Sequence, residues 1–136
     1  MTQPIGERGA SLNIEVIEQR DGDALVLLPV DRLDSGNARS FESILMGFIT
    51  RGERQVIVDF SRLEFVSSAG LRALLLAAKA LKSGEGTIVI CAMKAHIETT
   101  VRTSGLQWVI PIEQSREAAL ETANAPPKPG GPSRRS

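Results

Sequence analysis

The sequence predicts one α/β domain, a mixed β-sheet of about five strands flanked by about four helices. Three observations carry that expectation. Two apolar stretches lie either side of Asp21-Gly22, a dipeptide that favours the tight turn of a β-hairpin. Two later runs, "QVIVDF" and "TIVICA", are continuously apolar, as strands of a parallel sheet covered on both faces must be. Around them, apolar residues recur at helical rather than alternating spacing.

The elements follow in order. In "LNIEVIEQRDGDALVLLPV", Leu12, Ile14 and Val16 alternate with Asn13 and Glu15, which predicts a half-buried strand. "ALVLL" is a deeper strand, paired antiparallel to the first. After Asp34-Ser35 the period changes. Ala38, Phe41, Ile44, Leu45, Phe48 and Ile49 fall on one helical face, with Arg39, Glu42 and Ser43 elsewhere. Asp34 or Ser35 is the expected N-cap of this helix and Gly52 its expected stop. "QVIVDF" is the next strand, a helix starts near Ser68, and "TIVICA" is the strand after it. "KAHIETTVRTSGL" predicts a short helix with Ile97 and Val101 inward, closed by Gly105. "WVIPI" reads as a last strand, with Pro111 suiting a sheet edge. "SREAALETA" is a final helix capped by Ser115.

The chain's 136 residues suffice for one domain with a real core and are too few for two. The domain is expected over residues 12–123, after a loose polar arm at 1–11. The proline- and glycine-rich end, "NAPPKPGGPSRRS", predicts a disordered tail from Asn124. Sixteen basic side chains balance sixteen acidic ones, so no net charge draws the chain to nucleic acid or to an anionic membrane. Neither is expected as a partner. The one cysteine, Cys91, lies in an apolar run and has no second thiol for a disulfide or a metal cluster. That suits a reducing cytoplasm. No stretch reads as a signal peptide or a membrane span.

The seam "FVSSAGL" between a buried segment and a helix is the informative stretch. Ser68 sits where an N-cap is wanted, with a hydroxyl able to accept from the N–H of Gly70 or Leu71. Ala69 and Gly70 leave the first turn open to close approach by another molecule. Glycine there costs about 1 kcal/mol against alanine, and an exposed first turn offers no packing reason to accept that cost. Leu71, Leu74, Leu75 and Ala78 form the expected core stripe. Ala73, Leu76, Ala77 and Ala80 form a small apolar strip opposite, flanked by Arg72, Lys79 and Lys82. Two accounts are open. In one, Ser68 only caps the helix and the strip packs on a neighbouring helix. In the other, the strip is a docking surface and Ser68 is an exposed hydroxyl whose phosphorylation controls it. A helix N-terminus tolerates a phosphate, and a partner then meets a charge of about −1.5 to −2.

Enzymatic chemistry is not expected. The nucleophile elbow G-x-S-x-G is half present, with Val66 in its first glycine position. The only histidine, His96, lies on a short polar helix, and no aspartate follows Asp59 to complete a Ser–acid–His order. There is no P-loop, no G-x-G-x-x-G and no metal-ligand spacing, so no catalytic residue, cofactor or metal is assigned.

The stretch "VDFSRLEFVSSAGLRALL" resembles the signature of the STAS domain of bacterial anti-sigma factor antagonists. That pattern is a strand, Asp-(Leu/Phe)-Ser, a short apolar segment ending in (Asp/Ser)-Ser-(Ser/Thr/Ala)-Gly-Leu, and a helix. "DRLDSGNARSF" is similar to the family's turn into the first helix, and "ICAMKAHIETTVRTSGLQWVIPIEQSREAAL" follows its later elements at the same spacings. The resemblance spans about residues 12–122.

It implies a phosphorylation switch. The unphosphorylated domain binds an ATP-dependent serine-kinase anti-sigma factor and frees the sigma factor. The kinase inactivates the antagonist, and a serine phosphatase restores it. The family's acceptor falls on Ser68, with Ser67 as second candidate. Its acidic residue near the acceptor falls on Asp34, and the partner surface on Asp34, Ser35, Ser67, Ser68, Ala69, Gly70, Arg72, Ala73 and Leu76. Here Ser67 stands where the family often has aspartate, and Asp31 where it commonly has glycine, close after Pro29. The other function open to such a domain is a scaffold or small-molecule sensor in a larger regulatory or transport assembly.

Overall fold

The structure, a computed structural model, describes residues 13–125. Its elements are β1 (Val16–Asp21), β2 (Ala24–Pro29), β3 (Asp31–Leu33), α1 (Ala38–Thr50), β4 (Gln55–Asp59), β5 (Leu63–Val66), α2 (Ser68–Ser83), β6 (Thr87–Cys91), α3 (Ala95–Ser104), β7 (Ile112–Glu113) and α4 (Arg116–Asn124). Five strands form a mixed sheet in the order β1-β2-β4-β6-β7. The β1–β2 hairpin is antiparallel and the other pairings are parallel. The hairpin turns at Gly22, whose positive φ of 62° a side chain would resist.

Alternation along the inner strands sorts the core into two layers. Leu25, Leu27, Val56, Val58, Ile88 and Ile90 face one side and pack with Phe41 and Leu45 of α1, Leu71, Leu74 and Leu81 of α2, and Ile97 and Val101 of α3. The residues between them, Val26, Leu28, Ile57, Val89 and Cys91, face Ala119 and Ala123 of α4. Both faces are therefore covered, which is why these strands read as continuously apolar. Burial, then the nearby Asp59 charge, pushes the Cys91 thiol up to about 12.

Outside the start and outer face of α2, the elements differ from the sequence reading in four places. The first strand starts at Val16, although Ile14 packs against the core edge; Leu12 lies outside the described residues. The N-cap of α1 is Asn37, because Asp34 is occupied one step earlier. The Asp34 Oδ1 accepts from the N–H groups of Gly36 and Asn37 at 2.9 and 3.2 Å, a turn that precedes the helix. "WVIPI" is a strand only at Ile112–Glu113. Leu106–Trp108 instead form a 3₁₀ turn, since the N–H groups of Trp108, Val109 and Ile110 bond back to Gly105 and Leu106 rather than to β6. The edge placement of this segment does hold, with Pro111 offering its carbonyl to the Ile90 N–H at 3.0 Å. Finally, β3 and β5 form a separate two-stranded parallel ribbon that no alternation announced. The arm at 1–11 and nearly all of the expected tail lie outside the described residues, and α4 continues through Asn124.

Candidate functional site

The start of α2 is held in place from three sides. Behind it, the loop from β4 to β5 is fixed at both ends. Buried Asp59 accepts from the Ser61 N–H at 2.8 Å and pairs with Arg116 of α4 at 3.2 Å. Lys94 donates to the carbonyls of Ser61 and Leu63 at 3.1 and 3.3 Å and to the Glu64 carboxylate at 2.8 Å. The exposed His96 ring adds a contact from Nε2 to the Glu64 carbonyl at 2.6 Å. The Lys94 ammonium holds the Glu64 carboxyl below the usual carboxylate range.

Beside the helix start, β3 runs parallel to β5, with Arg32 opposite Phe65 and Leu33 opposite Val66. The next residue, Ser67, donates its N–H to the Leu33 carbonyl at 2.9 Å. This places the Asp34 turn next to the first residues of α2. Arg32 Nε donates to Asp34 Oδ2 at 2.9 Å, and that bond, ahead of those from Gly36 and Asn37, holds the Asp34 carboxyl below its ordinary value.

Beneath the helix start lies Leu33. Gly70 is buried, and a Cβ there would collide with Leu33 Cγ and sit 2.8 Å from its Cδ2 and 3.2 Å from its carbonyl oxygen. The glycine therefore has a packing reason, which corrects the expectation that it opens the turn to an outside molecule.

The structure also corrects the cap. Ser67, extended at φ −107° and ψ 170°, is the N-cap of α2, and Ser68 is the first helical residue. The Ser67 hydroxyl makes no capping bond; its oxygen is buried and has no hydrogen-bond partner among the described residues. The Ser68 side chain is exposed. The first bond of the helix runs from the Leu71 N–H to the Ser67 carbonyl at 3.2 Å, so the N–H groups of Ser68, Ala69 and Gly70 precede any intrahelical acceptor.

Farther along α2 the expected outer strip narrows. Ala73 and Ala77 are buried in the core layer that α1 and α2 share. Ala73 is thus a core residue and not part of an exposed surface. Leu75, assigned to the core stripe, is half-buried, and the deep position is Leu74. What stays outside at successive helical turns is Ser68, Arg72 and Leu76, the last 39% exposed. Ser35 is exposed in the Asp34 turn, and Ala69 is half-buried.

One surface residue escaped the sequence reading. Phe65 is 43% exposed, with the Arg32 guanidinium 5.0 Å from its ring centre. Nothing local in the sequence separates it from fully buried Phe60, since each directly follows an acidic side chain near the end of an apolar segment. Among the described residues, no cluster of His, Cys, Asp or Glu is arranged to hold a metal, and no helix is long and apolar enough to cross a membrane.

Comparison with known proteins accords with this arrangement. The family model of the STAS domain matches residues 15–119. A Bordetella bronchiseptica protein, BtrV, described as a candidate anti-sigma factor antagonist, is 41% identical over 87 residues, covering 64% of this chain and 75% of its own. An anti-sigma factor antagonist from Mycobacterium paratuberculosis superposes with a TM-score of 0.76 at 19% identity, covering 85% of this chain and 98% of that one. The Bacillus protein SpoIIAA, solved in unphosphorylated and phosphorylated forms, gives TM-scores of 0.62 and 0.61 at 17% and 19% identity, covering 80% of this chain and 96% and 97% of its own. At those identities the two solved proteins speak for the fold alone, and it is the domain match together with the Bordetella relative that places this chain in the STAS-domain anti-sigma factor antagonist family.

Proposed function

We propose that this chain binds a serine-kinase anti-sigma factor while unphosphorylated, and that a phosphate on Ser68 ends the binding. The observation that carries the reading is the division of labour between two adjacent serines. Ser67 occupies the cap position of α2, so Ser68 keeps an exposed hydroxyl that the helix does not need. Ser67, with its oxygen buried, is the poorer acceptor.

The chemistry belongs to the partner. A kinase would transfer the γ-phosphoryl group of ATP to the Ser68 oxygen, which loses its proton as ADP leaves. A serine phosphatase would hydrolyse the ester and restore the hydroxyl. The chain itself only offers and withdraws a surface, in the cytoplasm where ATP is found. That surface runs from Asp34 and Ser35, through Ser68 and Ala69, to Arg72 and Leu76, with Arg32 and Phe65 alongside. A phosphate would gain the unpaired N–H groups of the first turn and the positive end of the helix. Its charge of about −1.5 to −2 would have to be desolvated by any partner docking over α2.

The test is recovery of the kinase on immobilised wild-type protein, with and without ATP, followed by mass spectrometry. Binding that ATP abolishes, with phosphate on Ser68, supports the switch. Phosphate on Ser67 would move the assignment by one residue. A partner retained equally with ATP, and no phosphate on either serine, would sink it.

A further inference from the structure

A second exposed surface lies at the other end of α2. Trp108, the last residue of the 3₁₀ turn, is 84% exposed, and Val109 beside it is 52% exposed. Tryptophan side chains carry about 150–250 Å² of surface that is favourable to bury, so an exposed one is costly unless something covers it. The neighbouring sheet edge is incomplete. β7 pairs with β6 only at Ile90 and Cys91, leaving the earlier β6 residues without a strand on that side. An open groove of about 480 Å³ lies there, lined by Trp108, Val109 and Ile88 and by Lys79 and Lys82 of α2.

The charge of this groove is one-signed. Among the described residues, two lysines line it and no carboxylate does. Neither lysine is in an ion pair among the described residues. The chain's own end is the wrong sign to fill it, since residues 126–136 carry Lys128, Arg134 and Arg135 and no acidic side chain. We propose that the groove receives an acidic segment of a partner protein that carries an apolar anchor residue. The anchor would cover Trp108 and Val109 above the buried Ile88, while flanking carboxylates meet Lys79 and Lys82. Lys79 lies 11 residues beyond Ser68 in α2, about 16 Å along the axis. That exceeds the roughly 8 Å over which charges act at physiological salt, so occupancy here is independent of phosphate at Ser68.

The only tryptophan of the chain reports the site directly. The probe is a short synthetic peptide with one phenylalanine among glutamates, titrated into the full-length protein while Trp108 fluorescence is read. A saturable blue shift that salt weakens is the expected result. Ser68→Asp should give the same titration curve. The doubly substituted Lys79→Glu, Lys82→Glu protein keeps Trp108 and an intact core, and should bind the peptide at least about tenfold more weakly. No shift with the acidic peptide would overturn the proposal, as would an equal shift when lysines replace its glutamates. A shift with a peptide of residues 126–136 would assign the groove to the chain's own end. A blue shift that grows with protein concentration alone would assign it to a second copy. Either of these also overturns the proposal.

Discussion

Two helices of this domain begin with a serine in the same backbone geometry and finish the job differently. Ser115 of α4, at φ −140° and ψ 163°, accepts from the Ala118 N–H at 3.1 Å, and Glu117 stands in the first turn. Ser67 of α2 is likewise extended, but its oxygen accepts nothing, and no acidic residue stands in the first turn. The start of α4 is completed by its own side chains. The start of α2 is held instead by what surrounds it, namely the Leu33 carbonyl, the Leu33 side chain under Gly70 and the clamped loop behind β5. A helix that is positioned from outside can leave its own first-turn donors free, and free donors beside an exposed hydroxyl suit a group that arrives and leaves.

The largest test of this contrast exchanges the third helical residue. In α4 that residue is Ala118, and in α2 it is Gly70. Helix propensity alone says that Gly70→Ala should stabilise by about 1 kcal/mol. The overlap of the new Cβ with Leu33 argues the other way, and overpacking typically costs about 1–3 kcal/mol. We expect a net loss in urea denaturation, with partner binding weakened as the helix start shifts. A gain in stability would mean that Leu33 yields easily and that α2 is not held from below.

The capping serines come next. Ser115→Ala should cost about 0.5–2 kcal/mol by losing a cap bond. Ser67→Ala removes a hydroxyl that makes no bond, so its effect should lie within about 0.5 kcal/mol or be slightly stabilising. If both substitutions cost the same, the Ser67 hydroxyl caps in solution and the contrast between the two helices disappears.

How far the sequence foretold this contrast depends on which interactions are local. Ser115 was legible as a cap because a serine ahead of "REAAL" needs only its own next turn. The two layers of the sheet were legible for a similar reason, because alternation and continuous apolar runs encode burial directly. At the α2 start two serines adjoin, and the choice of cap is made by the bond from the Ser67 N–H to Leu33, more than thirty residues earlier in the chain. Local pattern cannot contain that bond. The same distance hid the purpose of Gly70, which Leu33 explains, and the burial of Ala73 in the main core. The ribbon of β3 and β5 was invisible because each strand is short and neither alternates. Its one sequence trace was Asp31 at a position where the family commonly has glycine. Asp31 indeed has a positive φ of 74°, a conformation that costs most side chains roughly 1–2 kcal/mol.

The next effect down is electrostatic and sits on Ser68. Ser68→Asp places a carboxylate in the first turn of α2, the feature that α4 already has in Glu117. The interaction with the helix dipole should stabilise by about 0.3–1 kcal/mol at low salt and fade as salt is added. Partner binding should nonetheless fall, while Ser68→Ala should bind its kinase and resist inactivation by ATP. Calorimetry and a pull-down on the same samples read both quantities. An aspartate that is harmless to binding would make α2 an ordinary capped helix like α4.

The smallest effect concerns pH and distinguishes the surroundings of the two helix starts. The Asp34 carboxyl beside α2 is held below its ordinary value, chiefly by the Arg32 guanidinium and then by the N–H groups of Gly36 and Asn37. A carboxyl with a lowered folded-state value binds fewer protons in the folded protein than in the unfolded chain. Its contribution is therefore fully present above the ordinary value of 3.8 and is lost as pH falls from there through the lower folded value. The pair is solvent-exposed, so screening limits the contribution to less than about 1 kcal/mol. Asp34→Asn keeps an oxygen able to accept from Gly36 and Asn37 but removes the charge. Wild type should be slightly the more stable of the two near neutral pH, and the gap should close progressively below pH 3.8. A gap that stays constant through that range would show that Asp34 acts through its backbone-facing hydrogen bonds alone, with Arg32 contributing nothing to the turn that abuts α2.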